Sequence, residues 1–206
     1  ITAERAFELA SLVRQRYPNL PILPMGYVTG VVQIGVERFI KLAIQANVDG
    51  FELPDYPAIR AKDPLGLHKG LRQVNIYNIN FADGISMAPA GSRPYQLLEE
   101  IVADAEGFIF LTASPGVTGG TGDVAVERLT QAVSNLRQVQ AKVKHPRPIL
   151  VGFGLTTPLH VQQVVQIVKA DAVVVGSAVS RLINRNESAE NIKSFIHSLN
   201  QVTKIS

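Results

Sequence analysis

The chain predicts an α/β fold of parallel strands and outer helices, a (β/α)8 TIM barrel in which six of the eight strands are represented. Three observations predict it. Two β-branched runs, ILVGFG (Ile149 to Gly154) and AVVVGSAVS (Ala172 to Ser180), each stop at glycine. Short apolar runs alternate along the chain with segments whose apolar residues recur at helical spacing, the pattern of βα units around a parallel sheet. Apolar content is 46% with a mean hydropathy of +0.15, which suits strands buried on both faces.

Thr2 is the N-cap of a first helix whose apolar stripe is Ala6, Leu9, Ala10 and Val13, closed by Pro18. A strand runs through Leu20 to Tyr27, a helix through Glu37 to Gln45 and a strand through Gly50 to Leu53. A third helix lies within Ala58 to Gln73, interrupted by Pro64 and Gly66. Asn75 to Phe81 (NIYNINF) alternates apolar and polar residues and reads equally as a short extra strand or an ordered loop. Strand Ile85 to Ala88 leads to a helix from Pro94 with Leu97, Leu98, Ile101 and Val102 inward. Strand Phe108 to Thr112 precedes a helix carrying Leu129, Ala132, Val133, Leu136 and Val139. Strand Ile149 to Gly152 precedes one with Val161, Val164, Val165 and Val168. Strand Ala172 to Val175 is followed by a short helix and a terminal one with Ala189, Ile192, Ile196 and Leu199 inward. A closed barrel of this class needs eight strands, so the chain, read as one barrel domain over residues 1–206, is two strands short.

Composition excludes several classes. Without cysteine there are no disulfides and no thiolate metal sites, which fits a cytoplasmic protein. A net charge of +3, with scattered Lys and Arg, leaves no nucleic-acid footprint. No apolar run is long enough to span a membrane. His68, His145, His160 and His197 share no ligand spacing, so neither metal nor other cofactor is expected.

The glycines carry the functional signal. Side-chain-free backbone at the two strand ends, with PGVTGG (Pro115 to Gly120) after FIFL, can approach an anion closely. Barrels of this kind often build a phosphate site from the loops after their last two strands. Close packing at the strand ends is the competing explanation. Ser177 can donate to a phosphate oxygen or cap the following helix. Asp55 is either a carboxylate at the ligand mouth or a turn residue bonding nearby backbone. Alternation places Glu52 on a face with Gly50 and Pro54, opposite Phe51 and Leu53. If that face lines the barrel interior, its pKa rises as in a buried general acid, and Glu52 and Asp55 are the visible acid–base candidates.

Read together, VDGFELPDYP (Val48 to Pro57), SMAPAGSRP (Ser86 to Pro94), GFIFLTASPGVTG (Gly107 to Gly119), VGFGLTTPLHV (Val151 to Val161) and VVGSAVSRLI (Val174 to Ile183) resemble the tryptophan synthase α-subunit family over nearly the whole chain. The resemblance implies that family's eight-stranded βα barrel, truncated at its N-terminus in this chain, whose opening matches the second helix and third strand. For the parent protein it implies retro-aldol cleavage of indole-3-glycerol phosphate to indole and glyceraldehyde 3-phosphate, with no efficient lyase activity expected of these 206 residues alone. It also implies a β-subunit partner; self-association is the alternative, since an opened sheet would expose two apolar edges for another chain to cover. It assigns Gly119, Gly154, Gly176 and Ser177 to the substrate phosphate, and Met25, Phe110 and Phe153 to the indole pocket. Thr118 matches a threonine that orders the active-site loop. The family's catalytic glutamate and aspartate match positions upstream of Ile1, and Ser114 stands in place of a loop arginine. Glu52 replaces an apolar residue facing the indole, and the connector through Asn75 to Phe81 is longer. A degenerate relative that binds a phosphate ligand or a partner without turnover is the alternative, and a sugar-phosphate isomerase or epimerase of the same fold is the runner-up enzyme.

Overall fold

The computed structural model describes residues 2–56, 62–113 and 124–204, and the chain divides into two compact units. Unit one comprises Ile1–Phe81 with Asp104–Gly107, and unit two Ala82–Ala103 with Phe108–Ser206.

In unit one, α1 (Ala3–Arg16) starts where the Thr2 side chain accepts from the Arg5 amide. Acidic Glu4 in the first turn and basic Arg14 and Arg16 in the last complement the helix dipole. Its inward face differs from the expected stripe. Phe7 and Ala10 are buried, whereas Leu9 and Val13 are exposed. The aromatic ring at position 7 decides the rotation. Phe7 meets Phe39 edge-on at 5.2 Å between centroids and Phe51 at 5.8 Å, and a helix turned to bury Leu9 would lose both contacts. Arg14 anchors the last turn of α1, donating to the carbonyls of Asn47 (2.9 Å), Pro18 and Leu20 (2.7 Å each) and to Asp49 Oδ2 (2.6 Å).

The predicted strand Leu20 to Tyr27 contracts to a single parallel bridge, Met25 to Glu52. Pro21 and Pro24 supply no amide to a ladder, which confines pairing to the residues beside them. Helix α3 (Val36–Ala46) spans the helix expected over Glu37 to Gln45, and a further helix that the sequence reading did not give, α2 (Val28–Ile34), precedes it across Gly35 with φ of 82°. Strand β1 (Gly50–Glu52) pairs in parallel with β2 (Tyr77–Phe81), Glu52 opposite Ile79. Between them, α4 (Leu67–Gln73) lies within the stretch expected to hold a helix, of which 58–61 are outside the described residues, and starts after Gly66 at φ of 68°. Asp63 accepts from the amides of His68 and Lys69 in its first turn.

Strand β2 resolves the reading that NIYNINF left open, and it displaces another expectation. Ile85 to Ala88 is turn rather than strand, closed by bonds from the Ser86 amide to Ala82 O and from the Ala88 amide to Ile85 O. Gly84 at φ of 76° and Pro89 at the far end favour the turn over an extended run.

In unit two, α5 (Arg93–Asp104) buries Leu98, Ile101 and Val102 as expected. Strands β3 (Ile109–Thr112), β4 (Ile149–Gly152) and β5 (Ala172–Val174) pair in parallel and in chain order, with Phe110 opposite Leu150 and Gly152 opposite Val174. Helix α6 (Val126–Val143) turns Leu129, Ala132, Val133, Leu136 and Val139 inward. Helix α7 (Pro158–Gln162) runs into a π-helical turn, Gln163–Ile167, and all four expected valines of this stretch are buried. Helix α8 (Ser177–Asn184) and helix α9 (Ala189–Gln201) complete the chain. Of the face expected for α9, Leu199 is buried while Ile196 and Ala189 are exposed. Phe195, Leu199 and Val202 pack instead with Val161, Val165, Val173 and Val175. The larger Phe195 ring claims the inward position at the expense of Ile196.

Candidate functional site

The carboxyl ends of β4 and β5 have a backbone that their sequences explain only in part. After Gly152 the chain places two successive residues in the left-handed region, Phe153 at φ of 62° and Gly154 at φ of 82°. Glycine adopts that conformation freely, but a bulky aromatic does so only at a cost, and such residues cluster at functional sites. The turn swings the Phe153 ring to within 5.4 Å of the Phe110 ring, centroid to centroid, at 59°. Phe110 in turn lies over Gly152, where an added Cβ would stand 2.4 Å from its Cζ. Close packing therefore accounts for Gly152.

It does not account for Gly176. An added Cβ there has no described atom within 4 Å, and φ is −109°, open to any residue. Gly176 is the N-cap of α8, with no side-chain bond closing the helix start, and Ser177 is the first helical residue. Ser177 thus does not occupy the capping position. By contrast α7 is closed by its own cap, the Thr157 hydroxyl accepting from the His160 amide at 3.2 Å. Amides in the first turn of a helix have no partner within it, so the start of α8 presents donors and the positive end of the helix dipole to an anion.

On unit one, Glu52 sits at the end of β1 with 9% of its surface exposed. Phe51 packs with Phe7 and Phe39, so alternation turns Glu52 to the other face, as expected. Burial pushes its carboxyl up to about 7, within the range of a general acid at neutral pH. Met25, bridged to Glu52 through the backbone, is exposed. Asp55 is also exposed, and both its oxygens accept from the Val28 amide at 2.9 and 3.1 Å, the first residue of α2. Thr118, Gly119 and Ser114 lie outside the described residues.

The four histidines have separate surroundings. His68 is buried with Nδ1 3.1 Å from Asn78 Nδ2, His145 accepts from Arg147 Nε, His160 accepts from the Thr156 amide, and His197 lies 2.7 Å from Gln201. Among the described residues no group of three His, Asp or Glu is placed to hold a metal.

One constellation escaped the sequence. Asp83 Oδ1 accepts from both the amide and the hydroxyl of Thr112, at 2.8 and 2.9 Å, and Arg128 Nη2 donates to Thr112 O at 3.1 Å. Burial raises the Asp83 pKa, opposed by the two bonds from Thr112 and the charge of Arg128. Reading NIYNINF as a strand would have put Asp83 just past a strand end, the position where such residues gather in βα folds.

Comparison with known proteins matches this geometry to a family. The family model for the tryptophan synthase alpha chain matches residues 1–205. This chain belongs to the tryptophan synthase alpha chain family. The tryptophan synthase alpha chain of Bacillus cereus is 33% identical over 98% of this chain and 70% of its own length. That of Dehalococcoides mccartyi is 28% identical over 98% of this chain and 71% of its own. The solved tryptophan synthase A-subunit of Pyrococcus furiosus superposes with a TM-score of 0.70 at 26% identity, covering 98% of this chain and 74% of that one. An Aquifex aeolicus structure reaches 0.74 at 23%, over 97% and 68%. The fold is thus the family's βα barrel, and the family's role is that of the α subunit in tryptophan biosynthesis. Among the described residues no helix is long and apolar enough to cross a membrane.

Proposed function

We propose that this tryptophan synthase alpha-type chain binds the phosphate of indole-3-glycerol phosphate at Gly119, Gly154, Gly176 and Ser177, with the ring against Phe110 and Phe153. The supporting observation is Gly176, a glycine that neither packing nor φ requires, at the open start of α8. The same reading assigns Met25 to the ring's apolar surroundings and Thr118 to ordering the loop. Any acid–base chemistry that this chain itself carries falls to Glu52 and Asp55. Glu52, carrying a proton near neutral pH, donates it to the indole carbon as the bond to the glycerol chain breaks. Asp55, fixed by the Val28 amide, is the acceptor that takes up the hydroxyl proton released as the aldehyde forms. A β subunit is the proposed partner, supported by the likeness to the α chain within the Pyrococcus furiosus tryptophan synthase complex, at a TM-score of 0.69 and 24% identity. The cytoplasm is the proposed location.

A second reading, binding without turnover, draws on Asp55, whose two oxygens are already engaged with backbone. Incubation with indole-3-glycerol phosphate separates the two. The lyase reading expects indole release that Glu52→Gln lowers by about 10²-fold or more while binding of glycerol 3-phosphate is kept. Binding with no indole released by the unaltered chain refutes catalysis. Absence of binding refutes both.

A further inference from the structure

We propose that the free edge of β5, with the apolar groove beside it, docks a further β-strand parallel to β5. The strand comes from the portion of a tryptophan synthase alpha chain that has no counterpart in this one. The proposal goes beyond the ligand reading above and does not depend on it.

Unit two leaves one strand edge without a partner strand among the described residues. Strand β5 pairs with β4 and stands at the end of the strand order. The Asp171 amide donates to Ile149 O at 2.9 Å, so alternate backbone groups along β5 serve β4. The groups between them turn to the opposite edge. Burial marks the same strand. Ile149, Val151 and Gly152 of β4 are buried, whereas Ala172, Val173 and Val174 are each only half-buried. Parallel strands rich in valine are ordinarily covered on both faces, and an edge of free amides and carbonyls is a template for another strand. Against β5 lies a groove of about 990 Å³, floored by Val165, Val173, Val175, Val179, Ile196 and Leu199. Ile196, which Phe195 displaces from the core and which is 48% exposed, lines this groove.

The occupant follows from topology, length and charge. Unit two is parallel throughout, and beyond β5 the described chain is helical, so it offers no further strand of its own. A closed barrel of this class has eight strands, and five are present among the described residues. The match covers 70% of the Bacillus cereus chain and 74% of the Pyrococcus furiosus subunit, and the rest of each has no counterpart here. A second copy fits less well. A two-fold contact sets the same patch on both sides, and this rim carries Lys169, Lys193 and His197, while its Asp171 is already held by Arg137. Like charges facing across an interface oppose association.

The test mixes the full chain with the portion of the Bacillus cereus tryptophan synthase alpha chain outside the match, made as a separate polypeptide. Sedimentation reads the complex and amide hydrogen exchange reads the strand. A complex of one chain with one segment is expected, with exchange at Ala172–Val174 slowed about tenfold or more. Ile196→Glu and Val179→Glu set a carboxylate in the groove and should weaken association about tenfold or more. Ile167→Glu, at a position 55% exposed and outside the groove, should leave association unchanged. Absence of a complex overturns the proposal, as does a complex indifferent to Ile196→Glu or one that slows exchange elsewhere but not in β5. A dimer of the chain alone that Ile196→Glu disrupts names a second copy as the occupant and overturns it as well. Should Val179→Glu fail to fold, Ile196→Glu at its exposed position and the exchange of the unaltered chain decide the matter. Neither measurement involves glycerol 3-phosphate, so failure of the ligand reading leaves this outcome standing.

Discussion

Replacing Glu52 by glutamine is expected to stabilise the protein in alkaline solution and to leave it unchanged in acid. The carboxyl titrates at 4.5 when unfolded and at about 7 when folded, with burial as the cause. Below 4.5 both states hold the proton, and the side chain costs nothing relative to a neutral amide of the same shape. Between 4.5 and about 7 the folded state keeps a proton that the unfolded chain has released. The folded state binds more protons there, so stability falls as pH rises. Above about 7 the whole difference has been lost. At about 1.4 kcal/mol per pH unit, the interval corresponds to about 3 kcal/mol. With 9% of the residue exposed, solvent does little to screen it. Urea unfolding of both proteins from pH 4 to pH 8.5, followed by far-UV circular dichroism, reads the effect directly. Glu52→Gln should match the parent at roughly pH 4 and exceed it by about 3 kcal/mol at roughly pH 8.5. A gain of equal size at both ends would show that Glu52 does not titrate in this interval and would remove the basis for its role as an acid.

The strand ends supply two further outcomes. Gly152→Ala places a methyl 2.4 Å from Phe110 Cζ and should destabilise by about 1–3 kcal/mol, with Phe110→Leu restoring much of the loss; thermal unfolding of the single and double variants checks it. Ser177→Ala should leave the unfolding midpoint unchanged, since Ser177 does not cap α8, while lowering glycerol 3-phosphate affinity about tenfold by calorimetry.

Where apolar residues fill the inward positions, the sequence foretold the fold. Val151 of β4, Val161, Val164, Val165 and Val168, and the leucines of α6 lie buried where periodicity put them, because nothing but burial determines their orientation, whereas β5, expected to be buried on both faces, is half-buried. The failures occur where another force competes. Strand β2 buries Asn78 and Asn80, residues depleted from strands. Asn78 is held by His68 of α4, ten residues earlier, a partner no periodicity reveals. In α1 and α9 the stripes containing Leu9 and Ile196 yield to Phe7 and Phe195, because an aromatic ring gains more by packing than an aliphatic neighbour. At the site, glycine position was legible but glycine purpose was not. Gly152 and Gly176 both end β-branched runs, and only the surroundings separate the one that yields to Phe110 from the one that faces open space. Asp83 stayed hidden because the strand before it was hidden.

Phe153 bears on the history of this sequence. Its left-handed backbone costs of order 1–3 kcal/mol for a bulky residue, and glycine or asparagine at that position would relieve much of it. Most random replacements in a protein destabilise, so a replacement that relieves strain spreads readily once a side chain has no task. A lineage drifting free of its ligand would lose this phenylalanine early. With its ring tilted against Phe110 across a strained turn, residue 153 is the position at which release from the ligand would register first, and comparing it across diverged copies tests this.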